Sequence, residues 1–268
     1  MTAPDPWAAL RRHTAARIAL GRAGASQPTA AWLRFSLDHA LARDAVHAAL
    51  DGAALAAALA AHDLPGTAIE SAAPDRATYL RRPDLGRRLS ARSAALLAAL
   101  APAGAGCTLV VVADGLSAAA AQAHALPLLL ELRPRLAAQG LALGPVLVAT
   151  QARVALGDEA AAALHAQAVL VLIGERPGLS SPDSLGAYLT WAPQPGCTDA
   201  RRNCVSNIRP AGQPCAEAAR RLAWLLGAAR RLGTSGVALK DESEAAALPG
   251  GPEAAALQPG GPCGTIGP

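Results

Sequence analysis

The sequence has few aromatic residues and almost no lysine. Phe, Tyr and Trp make up 3% of the 268 residues, and Lys240 is the only lysine among 24 basic residues. Proteins that bind nucleic acids stack bases on aromatic side chains and cluster their basic residues on one surface. Here the arginines occur as short pairs along the whole chain. The net charge of +4 therefore does not indicate a nucleic-acid partner.

Long apolar runs, paired cysteines and phosphate-binding glycine loops are also absent. No apolar run reaches the roughly 18 residues of a membrane helix. The five cysteines show no C-x-x-C pair and no Cys/His cluster with zinc spacing. The turn after the first predicted strand, ADGLSA, lacks the G-x-G-x-x-G pattern, and the chain has no Walker motif. These absences favour a soluble cytoplasmic protein without a common dinucleotide or nucleotide site.

Three apolar segments predict a parallel sheet in the second half of the chain. Thr108–Ala113, Val146–Thr150 and Ala168–Gly174 are short and rich in β-branched residues, and helical segments separate them. Such runs are typical of strands buried on both faces, and their alternation with helices predicts right-handed βαβ units. The expected fold class is α/β: a Rossmann-like parallel sheet with flanking helices, preceded by a helical N-terminal region.

The composition divides the chain into three regions. Residues 1–100 carry helical periodicity and are predicted to form the helical N-terminal region. Residues 101–240 contain the three strands and are predicted to form the Rossmann-like domain. Residues 241–268 contain a near-repeat dense in Ala, Gly and Pro. This tail has too few large apolar side chains to offset its ordering entropy, so we expect it to be disordered.

Shorter segments are interpreted as follows. A helix is expected to start near Asp5-Pro6, and the segment 78–90 (TYLRRPDLGRRLS) is interpreted as a loop because Pro83 and Gly86 interrupt it. The segment 197–214 is expected to be a polar loop. The segment Gly236–Lys240 is expected to be extended.

Ligands of open parallel sheets bind outside the carboxyl ends of the strands. The loops 113–117, 150–154 and 174–179 follow the three predicted strands, and the polar loop 197–214 could join them. These loops hold polar residues in an otherwise alanine-rich chain: Asp114, Ser117, Arg153, Glu175, Arg176, Asn203, Ser206 and Asn207. Charged residues also commonly terminate apolar strands, so each of them has a purely structural explanation as well.

Several motifs in order carry a family resemblance. They are RIALGRAGASQPT, DHALARDAV, YLRRPDLGRRLS, VVADGLSAAA, QARVALGDE, LIGERPGLSSPDSLGAYL, RRNCVSNIRP and SGVALKD. Over about Leu10 to Asp241 the chain resembles the small (light) chain of ethanolamine ammonia-lyase. The resemblance implies a heteromeric adenosylcobalamin enzyme that converts ethanolamine to acetaldehyde and ammonia. It also implies that a barrel-shaped large subunit carries the substrate site, and that this chain covers the cobalamin and has no activity alone.

The resemblance implies that Val154, Glu175 and Cys204 contact the cofactor. Val154 offers an apolar contact, Glu175 accepts hydrogen bonds from corrin amides, and Cys204 is a small polarizable contact. Arg176 and Asn207 are expected to be further cofactor-binding residues. No catalytic residue and no metal ligand is expected in this chain. A cobalt-binding D-x-H-x-x-G motif is absent, so the cofactor's dimethylbenzimidazole is expected to stay on cobalt.

Two other functions remain open at this point. The chain could be a stand-alone α/β module for another large cofactor, or a structural partner that only organises the large subunit; retention of cobalamin would separate these functions. The expected location is the cytoplasm, with a bacterial microcompartment as the alternative. In relatives an N-terminal segment can direct the enzyme into such a compartment, and the arm before Trp7 is short.

Overall fold

A computed structural model describes residues 7–14, 16–103 and 106–246, so the tail from residue 247 onward lies outside the described residues. The helices are α1 (Ala8–Arg11), α2 (Thr29–His47), α3 (Gly52–Ala60), α4 (Arg76–Arg81), α5 (Ala91–Ala99), α6 (Ala118–Ala137), α7 (Leu156–Ala163), α8 (Cys215–Leu232) and α9 (Ser243–Ala246). The strands are β1 (Gly66–Glu70), β2 (Cys107–Ala113), β3 (Ala142–Thr150), β4 (Ala168–Gly174), β5 (Leu185–Trp191) and β6 (Arg202–Ile208).

The described strands form one mixed sheet in the order β1-β3-β2-β4-β5-β6. The first four strands of this order are parallel to one another, whereas β5 is antiparallel to both of its neighbours. The loop 175–184 between β4 and β5 is too short for the helical crossover that a parallel pair needs, so the chain reverses direction there. The α/β class with flanking helices is confirmed, and the sheet is mixed because of this reversal.

The sheet is buried on both faces. Val110 and Val112 of β2 join a large apolar cluster that contains residues of α3, α6 and α8. Leu109 and Val111 join a second cluster, on the opposite face, that contains residues of α5 and α7. Every residue of β2 and β4 is buried, as the predominantly apolar sequence of these strands predicts.

Three interpretations of shorter segments are wrong. The segment 78–90 contains the end of α4 and a short 3-10 turn, Leu85–Arg87, and α4 forms because the Asp75 carboxylate caps it by accepting the Thr78 N–H at 2.8 Å. Within the polar segment 197–214 lies β6 rather than a loop. Residues 236–238 form a 3-10 turn rather than an extended segment.

The N-terminal region contains helices, as the sequence predicts, and also one strand of the sheet. The first described helix, α1, spans only Ala8–Arg11, and α2 has no buried residue. β1 belongs to the central sheet although it lies within residues 1–100. Among the described residues, no helix is both long and apolar enough to cross a membrane.

The start of the C-terminal tail contacts the domain. Asp241 forms an ion pair of 2.7 Å with Arg221 of α8. Ser243 is completely buried, and its carbonyl oxygen accepts a hydrogen bond of 2.7 Å from Arg220. These contacts extend the described domain to α9.

Candidate functional site

A cavity of about 990 Å³ lies at the carboxyl ends of the parallel strands. Its walls include residues of all three loops that follow β2, β3 and β4, together with the turn at Leu85–Arg87 and the segment 196–202. Pockets that bind small molecules typically enclose about 300–1,000 Å³. The cavity therefore has room for a large ligand.

The loops after β2 and β4 touch through their backbones. The N–H of Leu116 donates to the carbonyl of Gly174 at 2.9 Å. Gly115 has a φ of +55°, and a Cβ at this position would overlap the Gly174 carbonyl oxygen. A Cβ on Gly174 would overlap the carbonyl oxygen of Ser117. Any side chain at either glycine would push these two loops of the cavity wall apart.

Asp114 joins the loop after β2 to the loop after β3. Its buried carboxylate accepts hydrogen bonds from the backbone N–H groups of Gln151 at 2.9 Å and Ala152 at 3.1 Å. Burial raises the pKa of Asp114, while these hydrogen bonds oppose the rise. Gln151 adopts a φ of +55° at this junction. Asp114 thus fixes the backbone that leads directly to Arg153 and Val154.

Tyr79 supports Arg153 from below the cavity surface. The Tyr79 side chain is fully buried, its hydroxyl donates to the carbonyl of Ala152 at 3.0 Å, and burial raises its pKa to about 12. The guanidinium carbons of Arg76 and Arg153 lie over its ring, 4.9 and 4.3 Å from the centroid. These cation–π contacts restrict the orientation of Arg153.

Glu175 connects the ends of three strands. Its carboxylate accepts hydrogen bonds from the Ser184 hydroxyl, from the Ser206 hydroxyl at 2.6 Å and from the Asn207 N–H at 3.2 Å. A Cβ on Gly186 would lie 2.8 Å from the Glu175 Oε1 atom, so a side chain there would require the carboxylate to shift. Glu175 therefore joins the end of β4 to β5 and β6.

The structure brings the five predicted cofactor-binding residues to one region, in two groups. Val154, Glu175 and Arg176 line the cavity. Cys204 and Asn207 do not line it, but Asn207 donates to Glu175, and the exposed Cys204 is the cross-strand partner of a cavity residue, Tyr188. Partial burial raises the pKa values of both Cys204 and Tyr188.

Other polar residues of the predicted loops have structural partners. The Ser117 side chain caps α6 and donates to the carbonyl of Pro182 at 2.8 Å. The Asn203 side chain hydrogen-bonds to the turn at 236–239, donating to the Leu239 carbonyl at 2.9 Å. These contacts agree with the structural explanation that was open for each of them.

Several cavity residues do not emerge from the sequence. Arg87 and Arg88 lie in a segment interpreted as a loop, far from the strands. Their turn reaches the cavity because the Arg153 N–H donates to the Gly86 carbonyl at 2.7 Å, and because the Glu159 carboxylate accepts from the Leu89 N–H at 2.8 Å. The only sequence signal is the density of arginine at this point.

Arg202 is the other unpredicted member of the cavity wall. It is buried, and its guanidinium donates to the Asp158 carboxylate at 2.8 and 2.7 Å. Further acceptors are the Thr190 hydroxyl, the Cys197 carbonyl and the Asp199 carboxylate. Among the residues that the structure describes, no group of three or more His, Cys, Asp or Glu side chains is placed to hold a metal ion.

The fold and the cavity define an α/β protein with a large cavity at the carboxyl edge of its parallel strands. The family described as "Ethanolamine ammonia-lyase light chain (EutC)" matches residues 4–240. This chain belongs to the family of ethanolamine ammonia-lyase light chains, which confirms the resemblance.

Curated relatives agree with this assignment. The chain is 60% identical over 238 residues to a protein of Bradyrhizobium diazoefficiens, covering 87% of this chain and 90% of the relative. It is 56% identical over 248 residues to a protein of Azotobacter vinelandii, covering 92% of each. Both relatives are named "Ethanolamine ammonia-lyase small subunit".

Proposed function

We propose that this chain binds adenosylcobalamin in the cavity and covers it against the large subunit of ethanolamine ammonia-lyase. The observation that carries the proposal is the placement of Val154, Glu175 and Arg176 around one large cavity, with Cys204 and Asn207 adjacent to it. The complex converts ethanolamine to acetaldehyde and ammonia. The isolated chain is expected to have no turnover, because the substrate site belongs to the large subunit. The cytoplasm is the proposed location.

The chemistry of the cavity wall suits a corrinoid. Val154 and Ile173 offer apolar surface for the ring, and Arg176 offers donors for amide oxygens. A carboxylate has about four acceptor positions, and three of those on Glu175 are used within the chain. The remaining position is available to a corrin amide N–H. The bound cofactor supplies the radical chemistry, and the protein supplies its position and electrostatic environment.

The exposed apolar side chains of α2 support an interface with the large subunit. Among them Trp32 is 59% exposed, Leu33 is 57% exposed and Leu37 is 52% exposed. Soluble monomers rarely expose contiguous apolar patches, and such patches mark interaction sites. The spacing of Leu33, Leu37 and Leu41 places them along one side of the helix. We therefore assign this side of α2 to the contact with the large subunit.

Glu175→Gln tests the proposal. The amide cannot accept at its nitrogen, so it loses acceptor capacity toward Ser184, Asn207 or the corrin. A hydrogen bond to a charged group is worth about 1.5–3 kcal/mol, so adenosylcobalamin should bind the reconstituted complex roughly ten- to a hundredfold more weakly. The KM for ethanolamine should stay unchanged. Equilibrium titration with the cofactor and steady-state kinetics measure the two quantities.

The matched control is Glu242→Gln, because Glu242 is exposed and does not line the cavity. This variant should bind adenosylcobalamin like the wild type. Unchanged affinity in Glu175→Gln would remove Glu175 from the site. A complex that assembles with the large subunit but retains no cobalamin would favour the purely structural role, whereas retention of a different cofactor by the isolated chain would favour a stand-alone module.

A further inference from the structure

The charged side chains of the cavity wall differ in whether they have hydrogen-bond partners. Four carboxylates line the cavity, and each one accepts a hydrogen bond from this chain. The donors are Arg82 for Asp84, the Leu89 N–H for Glu159, the Ser184 and Ser206 hydroxyls and the Asn207 N–H for Glu175, and Arg202 for Asp199. Within the described part of the chain, none of these carboxylates accepts a hydrogen bond from Arg87, Arg88, Arg153 or Arg176.

The arginines of the wall are different. The Arg202 guanidinium is fully paired, whereas those of Arg87, Arg88, Arg153 and Arg176 have no hydrogen-bond acceptor within the described part of the chain. The Nε–H of Arg153 is also buried from water without a partner. A buried donor without an acceptor is costly, and more so on a charged group. The wall also holds the Glu159 and Glu175 carboxylates, which accept hydrogen bonds only from neutral donors, so what these arginines lack is a hydrogen-bond acceptor.

Arg153 is held in place for such an acceptor. Its guanidinium lies over the Tyr79 ring, and its backbone N–H donates to the Gly86 carbonyl. A Cβ on Gly86 would come within 2.9 Å of the Tyr79 ring and 3.0 Å of the Arg153 Cγ atom, so the turn packs closely against both side chains. Arg87 and Arg88 follow this glycine directly. The same contacts therefore bring three arginines to one part of the wall.

The N-terminus of α7 lies at the same part of the wall, and its first turn carries Asp158, which pairs with Arg202, and Glu159. Val154 and Ala155 line the cavity immediately before α7 begins at Leu156. The N-terminus of a helix carries a partial positive charge. The planar guanidinium matches the geometry of a phosphate group, which it binds through parallel N–H donors.

We propose that Arg153, together with Arg87 and Arg88, forms a phosphate-binding subsite within the cavity. This inference rests on the proposed function, in which the phosphate is the phosphodiester of the corrinoid's nucleotide portion. Free inorganic phosphate is the other source of the same chemistry. The subsite lies next to Gly86 and holds the nucleotide side of the cofactor, so it adds a charged anchor to the contacts proposed for Glu175 and Val154.

The test compares two corrinoids that differ by one phosphate. Adenosylcobinamide phosphate and adenosylcobinamide are titrated separately into the complex of this chain with the large subunit. The wild type should bind the phosphate-bearing corrinoid at least about tenfold more tightly. Arg153→Gln should abolish this preference and leave the affinity for adenosylcobinamide unchanged. Arg92→Gln is the matched control, because Arg92 is exposed on α5 away from the cavity, and it should keep the preference.

A second variant keeps the test decisive if Arg153→Gln fails to fold. Arg87 is exposed, so Arg87→Gln should fold like the wild type and still reduce the preference. Inorganic phosphate is also titrated into the corrinoid-free complex; binding that disappears in Arg153→Gln, without a preference between the corrinoids, identifies a free phosphate as the ligand. Equal binding of both corrinoids by the wild type, with no binding of inorganic phosphate, overturns the subsite. Failure of the wild type to bind adenosylcobalamin itself contradicts the proposed function, and the inorganic phosphate titration then decides the subsite alone.

Discussion

Arg202 is a buried charged residue in the cavity wall. The side-chain exposures of Arg202 and Asp158 are 2% and 1%. Removing two charges from water is costly, and only close geometry with additional hydrogen bonds offsets that cost. Here every N–H of the guanidinium has an acceptor, including the Cys197 carbonyl of the cavity wall. The pair therefore fixes the segment 196–202 against α7.

Removal of one partner of this ion pair should strongly destabilise the fold. Arg202→Leu leaves the Asp158 carboxylate buried without its cation, which should lower the free energy of unfolding by about 3–5 kcal/mol at pH 7. Urea unfolding followed by tryptophan fluorescence measures the change. The control is Arg43→Leu, since Arg43 is 67% exposed in a surface pair and the change should stay within about 0.5 kcal/mol.

The loss should depend on pH in a defined direction. Burial raises the pKa of Asp158 and Arg202 opposes that rise, so the variant's Asp158 has a still higher pKa. Asp158 of the unfolded chain releases its proton near pH 4, whereas Asp158 of the folded variant releases it only at its higher pKa. Between these two pKa values, the free energy of unfolding of the variant falls as pH rises. The defect of Arg202→Leu should therefore be smaller at pH 5 than at pH 7. A constant defect, or an equal one in the double variant Arg202→Leu/Asp158→Leu, would contradict this account.

At the scale of elements, the strands differ in how far the sequence predicts them. β2 and β4 are predicted because nearly every residue is apolar and every residue is buried. β6 escapes prediction because its polar residues find partners distant in the sequence. The Asn203 side chain bonds to the turn at 236–239, and Ser206 bonds to Glu175. The local sequence pattern gives no indication of such long-range contacts.

The residues of the candidate site also differ in whether the sequence predicts them. Val154, Glu175 and Arg176 are predictable because they follow apolar strands whose carboxyl ends share one edge. Arg87 and Arg88 are not, since they reach the cavity through backbone contacts of a turn that precedes β2 in the chain. Tertiary packing decides their position, and the sequence shows only that arginines are frequent there.

The junction between β2 and β4 predicts a contrast between two glycines. Gly174→Ala should destabilise the protein and weaken cofactor binding, because the new Cβ overlaps the carbonyl oxygen of Ser117. Gly52→Ala should be neutral or stabilising by about 0.4–1 kcal/mol, because a Cβ at this start of α3 meets only a Val148 methyl group at 3.7 Å. Thermal unfolding of both variants measures the difference. Similar melting temperatures would show that the two loops can separate without loss.

At the scale of the whole molecule, this chain's own helices cover both faces of the sheet. In contrast, the apolar side of α2 is left exposed. The side chains of α2 contribute to neither apolar cluster of the domain. The chain thus has a complete core for its α/β domain and an additional apolar surface that the core does not use. This division suits a subunit that folds around its own sheet and then docks through α2.

Substitution on α2 should separate assembly from folding. Leu33→Asp/Leu37→Asp should abolish co-elution with the large subunit in size-exclusion chromatography, because two buried carboxylates would face the apolar interface. The melting temperature of the chain should not fall, since both leucines are more than half exposed. Leu232→Asp, at an equally exposed leucine that ends α8, is the control and should leave assembly intact. Normal co-elution of the α2 variant would place the interface elsewhere.

The strand order also determines how long β1 lacks its neighbour β3 during synthesis. Gly66 of β1 pairs with Val146, and Glu70 pairs with Thr150, 80 positions later in each case. A ribosome adds about 5–20 residues per second, so β3 is synthesised about 4–16 s after β1. During that interval its backbone groups are unpaired and can bind another chain. The strand is only five residues long and ends in a charged residue, and both features protect the nascent chain until β3 is made.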